Sequence, residues 1–160
     1  MRKLSQEEPV SELRRVPIRD NGEPLVPFLE RHPALYWVPR HPAFDYQRFQ
    51  LARETMADML GAAARSLPDG IRLAVVEGWR PPAIQQQMHE ATRTRLQREH
   101  PEWSEQYLRR MVNRFSAPMD PRVPPPHTTG GAVDVHLVGA DGEILDFQSP
   151  YSLLDPKGAP

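Results

Sequence analysis

The chain has 160 residues, a length suited to about one domain with its own core. Hydrophobic residues make up 39% and charged residues 26%, and the formal net charge of -1 gives no electrostatic footing for nucleic acid or an anionic membrane. There are no cysteines, which excludes disulfides, cysteine-based metal sites and cysteine nucleophiles.

Residues 1–15 are polar, charged at the start and without an apolar core of the secretory type. They predict a mobile N-terminal segment. No apolar run approaches the roughly 20 residues of a membrane span, so a cytoplasmic location is expected. Residues 16–44 read as an extended stretch punctuated by prolines, of which the chain has 19. Val16, Ile18, Leu25, Val26, Phe28, Leu35, Tyr36 and Trp37 are its apolar anchors.

Asp45 can cap a helix, and Tyr46, Phe49, Ala52, Met56, Met59, Leu60 and Ala63 recur at spacings of three and four. This predicts an amphipathic helix ended by Pro68-Asp69-Gly70. Ile71–Glu77 reads as a short buried strand, and Gly78-Trp79-Arg80-Pro81-Pro82 as its sharp exit. Ala83–Glu99 is predicted helical, broken by His100-Pro101. Ser104 caps the next helix, which runs to about Phe115. A proline-rich loop spans residues 116–126. Ala132–Val138 is the clearest strand, and Ala140-Asp141-Gly142 is a hairpin turn into a return strand, Glu143–Phe147.

The elements sum to a small α+β domain over residues 16–147, with helices on one face of a mostly antiparallel sheet. Residues 148–160 are expected to form an irregular tail.

The segment Pro126-His127-Thr128-Thr129-Gly130-Gly131-Ala132-Val133-Asp134 carries the chemistry. A loop histidine is followed by two glycines, then by a strand whose Asp lies opposite its aliphatic neighbours. An Asp in a core-like strand needs a cation or hydrogen bonds to offset desolvation. Zinc held by imidazole and carboxylate is one answer; a turn hydrogen bond is the other. His136 shares the face of Asp134 and is a third-ligand candidate, although side chains at i and i+2 stand roughly 6–7 Å apart. His32, His41, His89 and His100 read as structural or surface residues.

Two blocks in order carry a family resemblance. Ser116-Ala117-Pro118, then Pro125-Pro126-His127 through Asp134, resembles the zinc D-alanyl-D-alanine dipeptidases, relatives of the LAS-type peptidoglycan carboxypeptidases. Val75-Val76-Glu77-Gly78-Trp79-Arg80-Pro81-Pro82 is similar to that family's strand–Gly–aromatic–Arg–Pro motif. The resemblance covers about Val16 to Phe147 and includes Arg19 to Leu25. It implies a LAS-type metallopeptidase fold and His127 and Asp134 as ligands of one zinc ion. It also implies zinc-activated water and Arg80 stabilising the oxyanion during hydrolysis of D-alanyl-D-alanine or a similar dipeptide of cell-wall chemistry.

The family takes its third ligand and general base from a later Glu-x-x-His, and no such motif occurs in this chain. The chain therefore reads as lacking the family's C-terminal part. Two expectations follow. Either a complementing C-terminal segment finishes a zinc dipeptidase, or the fold persists as a catalytically incomplete relic that binds a small ligand or partner. Apolar surface left open on the hairpin and first long helix predicts self-association.

Overall fold

The chain is described here by a computed structural model that covers residues 15–16, 18–41 and 44–145. The aliphatic run after Gly70 forms strand β4 (Arg72–Glu77), buried from Leu73 to Glu77. Such a run lacks polar alternation because both of its faces are covered. A short strand β2 (Tyr36–Trp37) pairs with it in parallel on one edge. Strand β5 (Asp134–Val138) pairs antiparallel on the other. A separate antiparallel pair joins β1 (Leu25–Pro27) to β3 (Leu51–Arg53). The chain is thus α+β, as its pattern predicts, with small antiparallel and mixed sheets.

The core lies between β4 and helix α2 (Glu54–Ser66). Leu73 and Val75 meet Ala57 and Leu60 there, together with Ala52, Leu35 and Phe28 of the single-turn helix α1 (Phe28–Arg31). Val133 and Leu137 pack against the same cluster. The stretch 44–48, together with His41, lies against the sheet, the His41 ring stacking on His136 and Tyr46 reaching Glu77. Arg48 holds it in place, donating to the carbonyls of Val76, Val38 and Pro39 while its guanidinium lies 4.8 Å over the Trp37 ring.

The helix predicted from Tyr46 begins only at Glu54. Its first apolar positions serve other contacts. Tyr46 reaches Glu77, Phe49 meets the edge of Trp79, and Ala52 sits in β3 opposite Val26. Asp45 therefore does not cap it. The start is set instead by the remote Glu23, whose carboxylate accepts from the Thr55 N–H at 3.0 Å and the Thr55 hydroxyl at 2.9 Å. An acceptor at these otherwise unpaired amides does what a local cap does.

Two helices follow β4: α3 (Pro82–Glu99), with Pro82 in its first turn, and α4 (Glu105–Phe115), capped by Ser104 as predicted. Leu96, Leu108 and Val112 join them in a second small core. After β5 the chain turns at Gly142, φ +83°, and Ile144 bridges back to Val138. The end of the predicted return strand, the tail 148–160 and nearly all of segment 1–15 lie outside the described residues. Among the described residues no helix is long and apolar enough to cross a membrane.

Gly61 is the tight point of the α1–α2 contact. A Cβ there would stand 2.3 Å from His32 Nδ1, and the His32 ring is held by Asp58 at 2.9 Å. Gly61→Ala is expected to lower stability by about 1–3 kcal/mol, because a fixed ring must move. Urea denaturation measures this; an unchanged midpoint would contradict the packing.

Candidate metal centre

The end of β4 and the His127 loop are laced together by their backbones. Gly78 has no room for a side chain, since a Cβ would meet the Leu51 carbonyl at 2.5 Å. Its own carbonyl accepts from His127 Nδ1 at 3.0 Å. The Arg80 N–H donates to the His127 carbonyl at 3.0 Å, and the Trp79 indole donates to the Thr128 carbonyl at 3.2 Å. The two sequence motifs are therefore one structural unit.

His127 sits in a single 3₁₀ turn (Pro126–Thr129). Thr128 and Thr129 hydroxyls donate to the carbonyls of Pro125 and Pro126, both at 2.7 Å. Gly130 ends the turn at φ +76°, where L side chains are strained. Arg53 grips this end, its Nε donating to the Thr129 carbonyl at 2.9 Å. The chain then enters β5, whose first residue, Asp134, lies in register opposite Glu77 across a bulge in the pairing.

Ligand-capable atoms of Glu77, His127 and Asp134 consequently lie within 4.8 Å of one another. Nε2 of His127 is 3.6 Å from Asp134 Oδ1. The Gly78 carbonyl can only accept, so Nδ1 carries a proton, and Nε2 is the atom turned to the cluster: a donor to Asp134 in the imidazolium, a lone pair for a metal once that proton is lost. A second hydrogen bond that fixes the tautomer is the usual companion of a metal-ligating imidazole. One imidazole and two carboxylates also suit zinc, and three protein ligands leave a position open. The donor set therefore fits the metal.

Glu77 is 1% exposed and heavily partnered. Its Oε1 accepts from the Tyr46 hydroxyl and from Arg80 Nε at 2.9 Å, while Oε2 accepts from Arg80 Nη2. A carboxylate has about four lone-pair sites, so Oε2 retains one. Arg80 donates its Nη1 to Gln85 Oε1 at 2.6 Å and lies 5.6 Å over the Tyr46 ring. Three of its five donors are thus engaged.

The charges shift accordingly. Burial and the Glu77 carboxylate push the Tyr46 hydroxyl far up, so it stays a donor. Burial works against the Arg80 cation, but Glu77 outweighs it and raises its pKa. Burial likewise works against the His127 imidazolium. Asp134 and the Gly78 carbonyl outweigh that burial and hold the pKa above the ordinary value.

Of the residues singled out in the sequence, His127 and Asp134 come together, with Arg80 joined to them through Glu77. His136 lies outside the cluster. It stands opposite Ala74, and its ring stacks on His41 with centroids 5.7 Å apart. Glu77 is the residue the sequence reading passed over. Its signal was an acid closing an otherwise apolar strand, three residues before the arginine.

The chain is 29% identical, over 181 aligned positions, to a D-alanyl-D-alanine dipeptidase of Synechocystis sp.. The match covers 98% of this chain and 70% of that relative. It supports the motif resemblance at the level of the family. No family model and no solved structure matches the chain.

Protons and metal compete for His127 Nε2. Zinc affinity is expected to rise with pH until His127 has lost its Nε2 proton and then level off, and the raised pKa puts that point above the ordinary histidine value. In metal-free protein the sign reverses. The raised pKa means the imidazolium–Asp134 pair stabilises the fold fully below the ordinary value of about 6.5, and that contribution is lost as pH rises through the raised value. Competitive zinc titration at several pH values checks the first statement; a flat profile would contradict it.

Proposed function

We propose that the chain is a metal-dependent dipeptidase acting on D-alanyl-D-alanine or a similar small dipeptide. The observation that carries this reading is the convergence of Glu77, His127 and Asp134 beside a locked arginine. The similarity to a D-alanyl-D-alanine dipeptidase supports a small dipeptide as the substrate class. A cytoplasmic enzyme trimming dipeptides of cell-wall chemistry is the setting that fits.

In this reading His127 and Asp134 hold zinc, with Glu77 as third ligand. The metal would supply Lewis acidity toward a carbonyl and a lowered pKa for water. The chain's own residues supply the rest. Arg80 keeps two N–H donors beyond those given to Glu77 and Gln85, and these can stabilise negative charge developing on the scissile carbonyl oxygen. Its positive charge is permanent, and its partners hold the guanidinium plane fixed, so little reorganisation accompanies the reaction. The Tyr46 ring lies against its guanidinium, 5.6 Å from Cζ to the ring centroid.

One observation favours a second reading. Both Glu77 oxygens already accept from Arg80 and Tyr46, which leaves Glu77 little capacity to serve as ligand or base. A binding module without turnover would keep the same pocket and take up a small carboxylate or a partner. A second copy of the chain would fit either reading.

Zinc-loaded protein is expected to release D-alanine from D-alanyl-D-alanine, and Arg80→Ala to lower kcat/KM by about 10²–10³-fold. Zinc binding with no hydrolysis would overturn the dipeptidase reading in favour of the binding module.

A further inference from the structure

The Gln85 side chain is 2% exposed at the first turn of α3, although it is polar and lies outside the three-residue cluster. Burying an amide is tolerated when each of its groups is paired. Here both are. Oε1 accepts from Arg80 Nη1 at 2.6 Å, and Nε2 donates to the Ala117 carbonyl at 2.8 Å, with the Ser116 hydroxyl at 3.5 Å. The amide orientation follows from chemistry, since a guanidinium only donates and a carbonyl only accepts.

One turn along α3, His89 Nδ1 donates to the Ser116 carbonyl at 2.9 Å. Positions i and i+4 of one helix thus grip two successive carbonyls where α4 ends. From there the proline-rich loop leads to His127. Of the two residues, Gln85 alone also touches Arg80.

We propose that Gln85 is a positioning residue: it fixes the guanidinium of Arg80 from the side opposite Glu77 and ties that orientation to the loop carrying His127. Glu77 alone grips the Nε–Nη2 edge and leaves Nη1 to rotate. The Gln85 carbonyl closes that freedom and aims the remaining Nη protons. A positively charged donor at this spot needs a neutral acceptor, because a second carboxylate beside Glu77 would turn the cluster more acidic and repel the Ala117 carbonyl. The catalytic consequence rests on the dipeptidase reading, whereas the guanidinium geometry does not.

The test uses the full chain with zinc. Nitrogen-15 NMR of the arginine side chains is expected to show slowed Nη rotation for Arg80 in the parent protein. Gln85→Met, close in volume, should abolish that slow rotation while zinc affinity stays within about twofold. If the parent hydrolyses D-alanyl-D-alanine, the variant should lose kcat by about 10²-fold, with KM little changed. His89→Ala loosens the same loop but keeps the Arg80 contact, so its Arg80 signal should remain slow.

Should Gln85→Met lose its cooperative thermal transition, Gln85→Asn is read the same way, being one methylene too short to span both partners. An Arg80 signal unaltered in the Gln85 variants would overturn the proposal. So would an equal loss in His89→Ala, which would assign the effect to loop anchoring. A parent protein that binds zinc without hydrolysis removes the dipeptidase reading, and the NMR signal then decides the role of Gln85 alone.

Discussion

The structure depends on one buried ion pair, Glu77 with Arg80. Their side chains are 1% and 11% exposed, and the guanidinium meets the carboxylate through two of its nitrogens. Withdrawing two charges from water costs several kcal/mol per ion unless geometry and further hydrogen bonds offset it. The offsets come from separate parts of the chain. Tyr46 arrives from the stretch 44–48, and Gln85 from the start of α3. Each partner brings its segment with it. The pair therefore ties together the stretch 44–48, the β4 exit and the α3 N-terminus.

The cluster beyond the pair inherits that order. The short exit from Glu77 to Arg80 passes Gly78, whose carbonyl holds the His127 ring, and Trp79, whose indole holds the next carbonyl. A bulge between Val75 and Glu77 shifts the β4–β5 pairing by one residue and so places Asp134 across from Glu77. Arg80 balances one of the two carboxylates. The other faces Nε2 of His127, where a proton or a divalent cation would complete the balance. Burial on this scale also raises the strength of every remaining electrostatic contact.

Much of this was legible in the sequence, and the exceptions have physical causes. The runs Ile71–Glu77, Ala83–Glu99 and Ser104–Phe115 carried clear period or cap signals and fall close to β4, α3 and α4. The helix placed from Tyr46 was too long at its start because spacings of three and four do not reveal what the side chains touch. Tyr46 and Phe49 have that spacing yet serve the site and the β4 exit. The cap that starts α2 was illegible because Glu23 lies 32 residues from Thr55. Strands β1, β2 and β3 are two or three residues long, too short for alternation to register. His127 and Asp134 were singled out by the family resemblance of their motif, since the spacing alone left a turn hydrogen bond open, and the fold brings them together. Glu77 was not, because its closeness to them arises only when β4 and β5 pair.

The central claim is that Glu77, His127 and Asp134 form one metal site. X-ray absorption spectroscopy of the stoichiometric zinc protein addresses it most directly. The account predicts a shell of nitrogen and oxygen donors at about 2.0–2.2 Å with the multiple scattering of a single imidazole, and loss of one oxygen donor in Glu77→Ala. Scattering from two imidazoles, or a shell unaltered in Glu77→Ala, would contradict it.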